Sequence, residues 1–253
     1  MTDDLDALLL AGGLGTRLRP VVADRPKPLA EVDGQPFLSI LLEYLSRFRV
    51  RSATLCVHHM ATHFENLDLG SELKVFLNRE PRRLGTAGAL THALKQSRAM
   101  GRALSDPLLV MNADSICDVD VDRFLEWFLT HDFSAGLALV PEEDIRHYGS
   151  INFSPNGQVE AFMEKASCPG PGWVNAGVYL IRQRVLNALP VNQVLSLEHQ
   201  VFPALINDGG GGVGAWPHCS QLIDIGTPER YLRARFAIAK ILCGAARKTV
   251  KDR

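Results

Sequence analysis

Apolar residues along this chain fall in short runs, each closed by glycine, proline or charge. The run Ala-Leu-Leu-Leu-Ala at 7–11 ends at Gly12-Gly13, and a short apolar run bounded by turn residues predicts a buried strand. Behind Pro36, the residues Phe37, Ile40, Leu41, Tyr44, Leu45 and Phe48 recur at the spacing of one helix face. Strands are predicted over 53–57, 73–77 and 107–111, a short helix over 61–67, and a longer one from a small-residue segment to about 99. Strand and helix in alternation predict an α/β fold, a mostly parallel sheet covered on both faces. From 133 the rhythm changes. The pattern predicts a strand over 133–140, a hairpin pairing 148–153 with 158–162 about Ser154-Pro155-Asn156-Gly157, a strand over 173–181, and another over 221–225. Thr227-Pro228-Glu229 then opens a helix reaching about 243.

Length and composition narrow the class. With 253 residues, 46% hydrophobic and 22% charged, one substantial core is expected and a single domain is the default. The net charge of -1 gives no reason to expect a nucleic-acid partner. No apolar stretch reaches membrane-spanning length, and the Thr-Asp-Asp opening lacks a signal peptide's basic start, so a cytoplasmic location is expected. Cys56, Cys117, Cys168, Cys219 and Cys243 are scattered without a CxxC pair, which predicts neither disulfides nor a zinc site. His59 and His63 are four apart but lack the glutamate of a zinc-protease helix, so they are expected to face solvent. Gly209 to Gly212 is expected to be a flexible loop.

The chemistry concentrates after the first strand. Glycines at 12, 13 and 15 let main-chain N–H groups approach a charged ligand, and Arg17, Arg19 and Lys27 add positive charge. Lys27 lies between Pro26 and Pro28, which predicts a stiff, extended carrier for its ammonium. Two known phosphate motifs fail here: no Gly-Lys-Ser/Thr follows Gly13, and Leu18 stands where a dinucleotide loop needs its third glycine. Asp114 follows the strand over 107–111, the end at which open α/β sheets bind ligands. Asp224 ends another apolar run. Either carboxylate suits a hard cation, and either could instead cap a helix. Glu80 has two readings, a carboxylate accepting from guanine N1–H and its exocyclic amine, or a surface glutamate paired with Arg82 or Arg83.

The segments GGLGTRLRP at 12–20 and RPKPL at 25–29 resemble the signature of the sugar-1-phosphate nucleotidyltransferases, and the likeness extends through almost the whole chain. It implies a nucleotide-diphospho-sugar transferase fold, a Rossmann-like, mixed and mostly parallel sheet with a small acceptor-binding β lobe. The nucleotide-binding half would cover about 1–132 and the sugar-phosphate-binding half 133–226, with the C-terminal helix and tail over 227–253. It further implies that Leu10, Ala11, Gly12, Gly13, Gly15, Thr16 and Arg17 wrap the nucleoside triphosphate, that Glu80 and Gly85 contact the base, and that Lys27 contacts the reacting phosphates. Asp114 and Asp224 would share one Mg²⁺. Asn112, Gly149, Glu164, Lys165 and Asn175 would bind the sugar phosphate. Two positions depart from the family pattern, Ala113 for the usual glycine and Ala166 for a frequent proline.

Within the family, Leu195-Ser196-Leu197-Glu198, the INF after Tyr148-Gly149-Ser150, and WVNAGVYLI look most like the D-glycero-D-manno-heptose 1-phosphate guanylyltransferases. Mannose-1-phosphate guanylyltransferases come next, then uridylyl- or thymidylyltransferases acting on muramic acid or glucose 1-phosphate. A nucleotide-sugar sensor without activity is the reading from another class. A homodimer is the default assembly.

Overall fold

In the computed structural model, which describes residues 4–65, 67–147, 149–163, 170–207 and 211–249, the first apolar run forms β1 (Leu5–Leu10). A two-strand hairpin, β2 (Glu31–Val32) and β3 (Gln35–Pro36), leads into α1 (Phe37–Leu45) and β4 (Val50–Val57). Then come β5 (Lys74–Arg79), α2 (Gly85–Ala99), β6 (Leu108–Asn112), β7 (Ser115–Cys117) and α3 (Val121–Leu129). The second half carries β8 (Ala135–Glu142), β9 (Ser150–Phe153), β10 (Val159–Met163), β11 (Gly172–Ile181), α4 (Gln183–Ala188), α5 (Phe202–Asn207), β12 (Val213–Trp216), β13 (Leu222–Asp224) and α6 (Pro228–Thr249).

β1 sits in the middle of the main sheet because it is apolar on both faces. It pairs in parallel with β4 on one side and β6 on the other, and β5 continues the parallel run to the edge. Side chains alternate across it: Leu5, Ala7 and Leu9 pack with α1, α3 and α6, whereas Leu8 packs with α2 and α5. Beyond β6 the sheet becomes mixed. β11 runs antiparallel to β6, β8 and β9, β10 pairs antiparallel with β9, and β12 lies parallel to β8. A separate two-stranded ladder joins β7 to β13.

This is the mixed, mostly parallel α/β architecture that the sequence implied. Some local features differ. The expected helix over 61–67 is a single 3-10 turn, Ala61–Phe64, and Lys27 lies not on extended backbone but in a 3-10 turn, Lys27–Leu29, with proline at its second position. Helix α3 lay outside the expected elements, although Val121, Phe124, Leu125 and Phe128 are buried at helical spacing and Asp120 caps it by accepting from the Arg123 N–H. Thr227 Oγ1 accepts from the Arg230 N–H at the start of α6, as its sequence predicted. Among the described residues no helix is long and apolar enough to cross a membrane. Of the 209–212 segment, 209 and 210 lie outside the described residues, and Gly211 and Gly212 have positive φ just ahead of β12.

Candidate active site

The carboxyl ends of β1 and β6 open into one cleft with two adjoining lobes. The larger, about 290 Å³, is lined by Leu10, Ala11, Gly13, Gly15, Thr16, Arg17, Lys27, Asp114 and Gly226 among others. Its floor is the glycine loop. Ala11 N–H still donates to the Cys56 carbonyl, but the amides of Gly12, Gly13, Leu14, Gly15 and Thr16 meet no protein acceptor among the described residues. Gly15 turns the loop at φ +59, and a side chain there would reach Lys27. A concave row of unmet N–H donors is an anion site by construction.

Two cations and two carboxylates stand over that loop. Lys27 Nζ donates to Asp114 Oδ2 at 2.5 Å. Asp224 accepts from the Gly226 N–H at 2.8 Å through Oδ1 and from Arg230 Nη1 at 2.6 Å through Oδ2. Gly226 marks where these groups converge: a methyl group on its Cα would stand 2.6 Å from Asp224 Oδ1, 3.3 Å from Lys27 Nζ and 3.6 Å from Arg17 Nη2. Arg17 has no ion-pair partner among the described residues. The aspartates are held side by side by the β7–β13 ladder, in which Asp224 faces Ser115 and the Ile225 N–H donates to the Asp114 carbonyl at 3.1 Å. Asp114 therefore lies in the turn between β6 and β7 and caps no helix.

The second lobe, about 230 Å³, shares Leu10, Gly13, Arg83 and Asp114 with the first and is completed by Gly12, Cys56, Glu80, Gly85, Thr86, Ala89 and Asn112. Glu80 is 6% exposed, so it is no surface glutamate, and it forms no ion pair with Arg82 or Arg83. Its Oε2 accepts from the Leu84 N–H at 2.9 Å, and a methyl group at Gly12 would stand 2.9 Å from its Oε1. Burial pushes its carboxyl up, opposed by the Leu84 hydrogen bond and by His58 and Arg83. Gly85 opens α2 at φ +74, where a Cβ would lie 2.5 Å from the Leu195 carbonyl oxygen. That carbonyl accepts from the Ala87 N–H and the Gly88 N–H.

Of the remaining expected residues, Asn112 lines this lobe. Gly177, at φ +72 in a bulge of β11, leaves room for Asn112, whose Nδ2 lies 2.4 Å from where a Cβ would stand. The Gly177 N–H donates to Asn175 Oδ1 at 2.9 Å, and the Asn175 N–H to the Gly149 carbonyl at 3.2 Å. Tyr148, Glu164 and Lys165 lie outside the described residues. Cys56 is fully buried and its thiol is pushed up to about 12 by desolvation, which leaves it a packing residue.

Three charged residues have contacts that the sequence reading did not give them. Arg83 touches both lobes. Arg230 holds Asp224, a contact readable in retrospect from its place one helical turn past the Thr227 cap. Glu142, at the end of β8, has its carboxyl raised by burial, with Arg230 opposing and Glu143 and Asp224 adding to the rise.

The donor set can be tested against a metal. Among the described residues no group of three His, Cys, Asp or Glu side chains surrounds a common point. Two adjacent carboxylates with oxygen-only donors fit Mg²⁺, which takes one or two protein carboxylates and completes its shell with substrate phosphates and water.

An open α/β sheet bearing an amide-lined loop, cations and paired carboxylates at its strand ends defines a protein built to hold a polyphosphate. The chain belongs to the nucleotidyl transferase family, whose sequence model matches residues 6–241. It is 30% identical over 237 residues to a mannose-1-phosphate guanylyltransferase of Mycobacterium tuberculosis, a match covering 92% of this chain and 64% of that protein. It is 29% identical over 231 residues to a D-glycero-alpha-D-manno-heptose 1-phosphate guanylyltransferase of Campylobacter jejuni, covering 90% and 97%. The crystal structure of HddC from Yersinia pseudotuberculosis complexed with GMP-PN superposes with a TM-score of 0.77 at 30% identity, covering 92% of this chain and 99% of that one. The chain spans less than two thirds of the length of the mannose-1-phosphate guanylyltransferases it matches, 64% for the mycobacterial protein and 60% for one from Drosophila melanogaster.

Proposed function

We propose that this protein transfers a nucleotidyl group from a nucleoside triphosphate to a sugar 1-phosphate, with GTP and D-glycero-α-D-manno-heptose 1-phosphate as its pair. The observation that carries the reading is the convergence of Arg17, Lys27, Asp114 and Asp224 on the unmet amides of the glycine loop. An oxygen of the sugar's phosphate attacks the α-phosphorus, the bond to the β-phosphate oxygen breaks, and pyrophosphate leaves. A sugar phosphate is largely dianionic at neutral pH, so the nucleophile needs no general base. The work left to the protein is alignment and charge neutralisation. The loop amides and Arg17 hold the triphosphate, and Lys27 exchanges its contact with Asp114 for the reacting phosphates. Asp114 and Asp224 would hold Mg²⁺, which when bound supplies positive charge against the phosphoryl oxygens.

Residues 1–132 serve the nucleotide and 133–226 the acceptor, for which Asn112, Gly149, Glu164, Lys165 and Asn175 provide the contacts. The buried carboxylate of Glu80 favours guanine, whose N1–H and amino group are neighbouring donors, over uracil or thymine, which lack that pair. Heptose is preferred to mannose because the Campylobacter heptose 1-phosphate guanylyltransferase matches over nearly its full length. Mannose 1-phosphate is the second reading, favoured by the mycobacterial relative. Soluble phosphorylated substrates fit a cytoplasmic enzyme, and a homodimer is its working assembly.

The deciding experiment is pyrophosphate release with Mg²⁺, crossing GTP, UTP, dTTP, CTP and ATP with heptose, mannose, glucose and N-acetylmuramic acid 1-phosphates. Release restricted to GTP and heptose phosphate is expected. Release with another pair keeps the reaction and changes the substrate. Tight nucleotide-sugar binding without release from any pair would identify a sensor.

A further inference from the structure

Between α2 and β11 lies a carboxylate that the proposed chemistry does not use. Glu198 sits in the π-helical turn Leu197–Val201 that runs into α5, and it has no cationic partner among the described residues. Its contacts are hydroxyls. Oε2 accepts from Thr86 Oγ1 at 2.8 Å and from Ser196 Oγ at 2.8 Å, and Oε1 accepts from the Tyr179 hydroxyl at 3.4 Å. Thr86 belongs to the first turn of α2 and lines the second lobe of the cleft. Tyr179 is fully buried on β11 and accepts from Asn175 Nδ2 at 2.7 Å.

Counting protons fixes every direction in this network. A hydroxyl has one proton to give. Thr86 Oγ1 accepts from the Leu197 N–H and Ser196 Oγ from the His199 N–H, so both are free to spend their protons on Glu198. Tyr179 does the same, because its oxygen already receives Asn175. An acceptor-only carboxylate is the side chain that can take all three. Asn175 is thereby set: Oδ1 takes the Gly177 N–H, one Nδ2 proton goes to Tyr179, and the other meets no protein acceptor among the described residues. Burial and the Glu198 charge push the Tyr179 hydroxyl well above its ordinary value, which keeps it a donor.

We infer that Glu198 is a positioning residue, one carboxylate that sets the first turn of α2 and, through Tyr179, the amide of Asn175, so that the two substrate sites share a single brace. The inference rests on the assignment of Asn175 to the sugar phosphate. A glutamine at this position satisfies only part of the network. With its oxygen toward Thr86 and Ser196, its NH₂ points at a Tyr179 oxygen already engaged by Asn175, and the tyrosine proton loses its acceptor. Reversed, the NH₂ meets two hydroxyl protons. The first pose leaves fewer protons unmet, and in it Asn175 loses the fixed partner that orients it while fold and volume are preserved.

The test is steady-state kinetics on the full chain with the substrate pair that wild type turns over, alongside thermal melting. Glu198→Gln and Tyr179→Phe are each expected to raise the sugar-phosphate KM about tenfold, the scale of one lost hydrogen bond to a charged group, with kcat within about threefold. The double variant should be no worse than the poorer single one, since both cut the same relay. Thr86→Val, on the nucleotide side, should raise both KM values together. A sugar-phosphate KM unchanged in Glu198→Gln, or additive effects in the double variant, would overturn the inference. If Glu198→Gln does not fold, Thr86→Val decides, and a rise in the triphosphate KM alone counts against the brace. Wild type inactive with every pair would instead overturn the proposed function.

Discussion

Lys27 and Asp114 are 87 positions apart and meet at 2.5 Å, with the lysine side chain only 12% exposed. A cation held in that setting needs little reorganisation to engage phosphate. Lys27→Ala removes it and leaves Asp114 facing the incoming negative charge, so kcat/KM should fall by roughly a hundredfold or more, on the order of 3 kcal/mol; pyrophosphate release measures the loss, and near-normal turnover would remove Lys27 from the reaction. Asp6 shows the opposite use of charge. It is 3% exposed at the amino end of β1, far from the cleft, and takes Arg51 at 2.7 Å, Ser52 Oγ at 2.6 Å and the Ser105 N–H at 2.8 Å. Burial alone would raise its carboxyl, but those donors outweigh it and hold it below the usual 3.8. A folded value below the unfolded one contributes stability that is complete above the unfolded value and is lost as pH falls through the folded one. Asp6→Ala should therefore cost about 3 kcal/mol near neutrality by stranding what the carboxylate satisfies. The deficit should shrink as pH drops below about 4, where wild type loses the same charge; urea melts across that range check both.

Helix α2 depends at its entrance on two glycines with no space for a side chain. A Cβ on Gly85 would lie 2.5 Å from the Leu195 oxygen at a φ of +74, and one on Gly88 would lie 2.3 Å from the Gln193 oxygen. Gly85→Ala must push away the segment that meets the first α2 amides, and a left-handed alanine adds about 1 kcal/mol of its own. The triphosphate KM should rise about tenfold while the sugar-phosphate KM moves less; titration calorimetry with GTP gives the direct check, and unchanged affinity would detach this turn from nucleotide binding. Much at this scale was legible beforehand. The apolar runs behind β1, β4 and β6 and the stripe of α1 specify themselves, because local pattern and burial agree. Helix α3 carries an equally readable stripe in Val121, Phe124, Leu125 and Phe128. The π-helical turn at Leu197–Val201 was not readable, since it is set by the contact of Glu198 with Thr86, 112 positions away. Glu80 stood between, its residue type visible but its burial decided only by the packing of β5 under α2.

The whole molecule brings residue 114 to residue 224 through one short ladder. β7 follows β6 directly, β13 precedes α6, and their three paired positions place both aspartates over the glycine loop. The sequence offered each carboxylate with its local setting, but their adjacency exists only in the closed fold. The two positions nevertheless bear different loads. Among the described residues the Asp114 carboxylate pairs with Lys27 alone, whereas Asp224 takes the Gly226 N–H and holds Arg230, tying the ladder to the first turn of α6. Asp114→Asn and Asp224→Asn should both lose roughly a hundredfold or more in turnover and require more Mg²⁺ for half-maximal rate, because two carboxylates are all that the described residues bring to the ion. Only Asp224→Asn should also lose stability, by about 1.5 kcal/mol or more, since it weakens a charged hydrogen bond that anchors a helix. Metal titration of pyrophosphate release, run beside thermal melting, separates the two effects. Equal melting temperatures with unequal metal demand would mean that Arg230 serves substrate charge and leaves the fold unsupported.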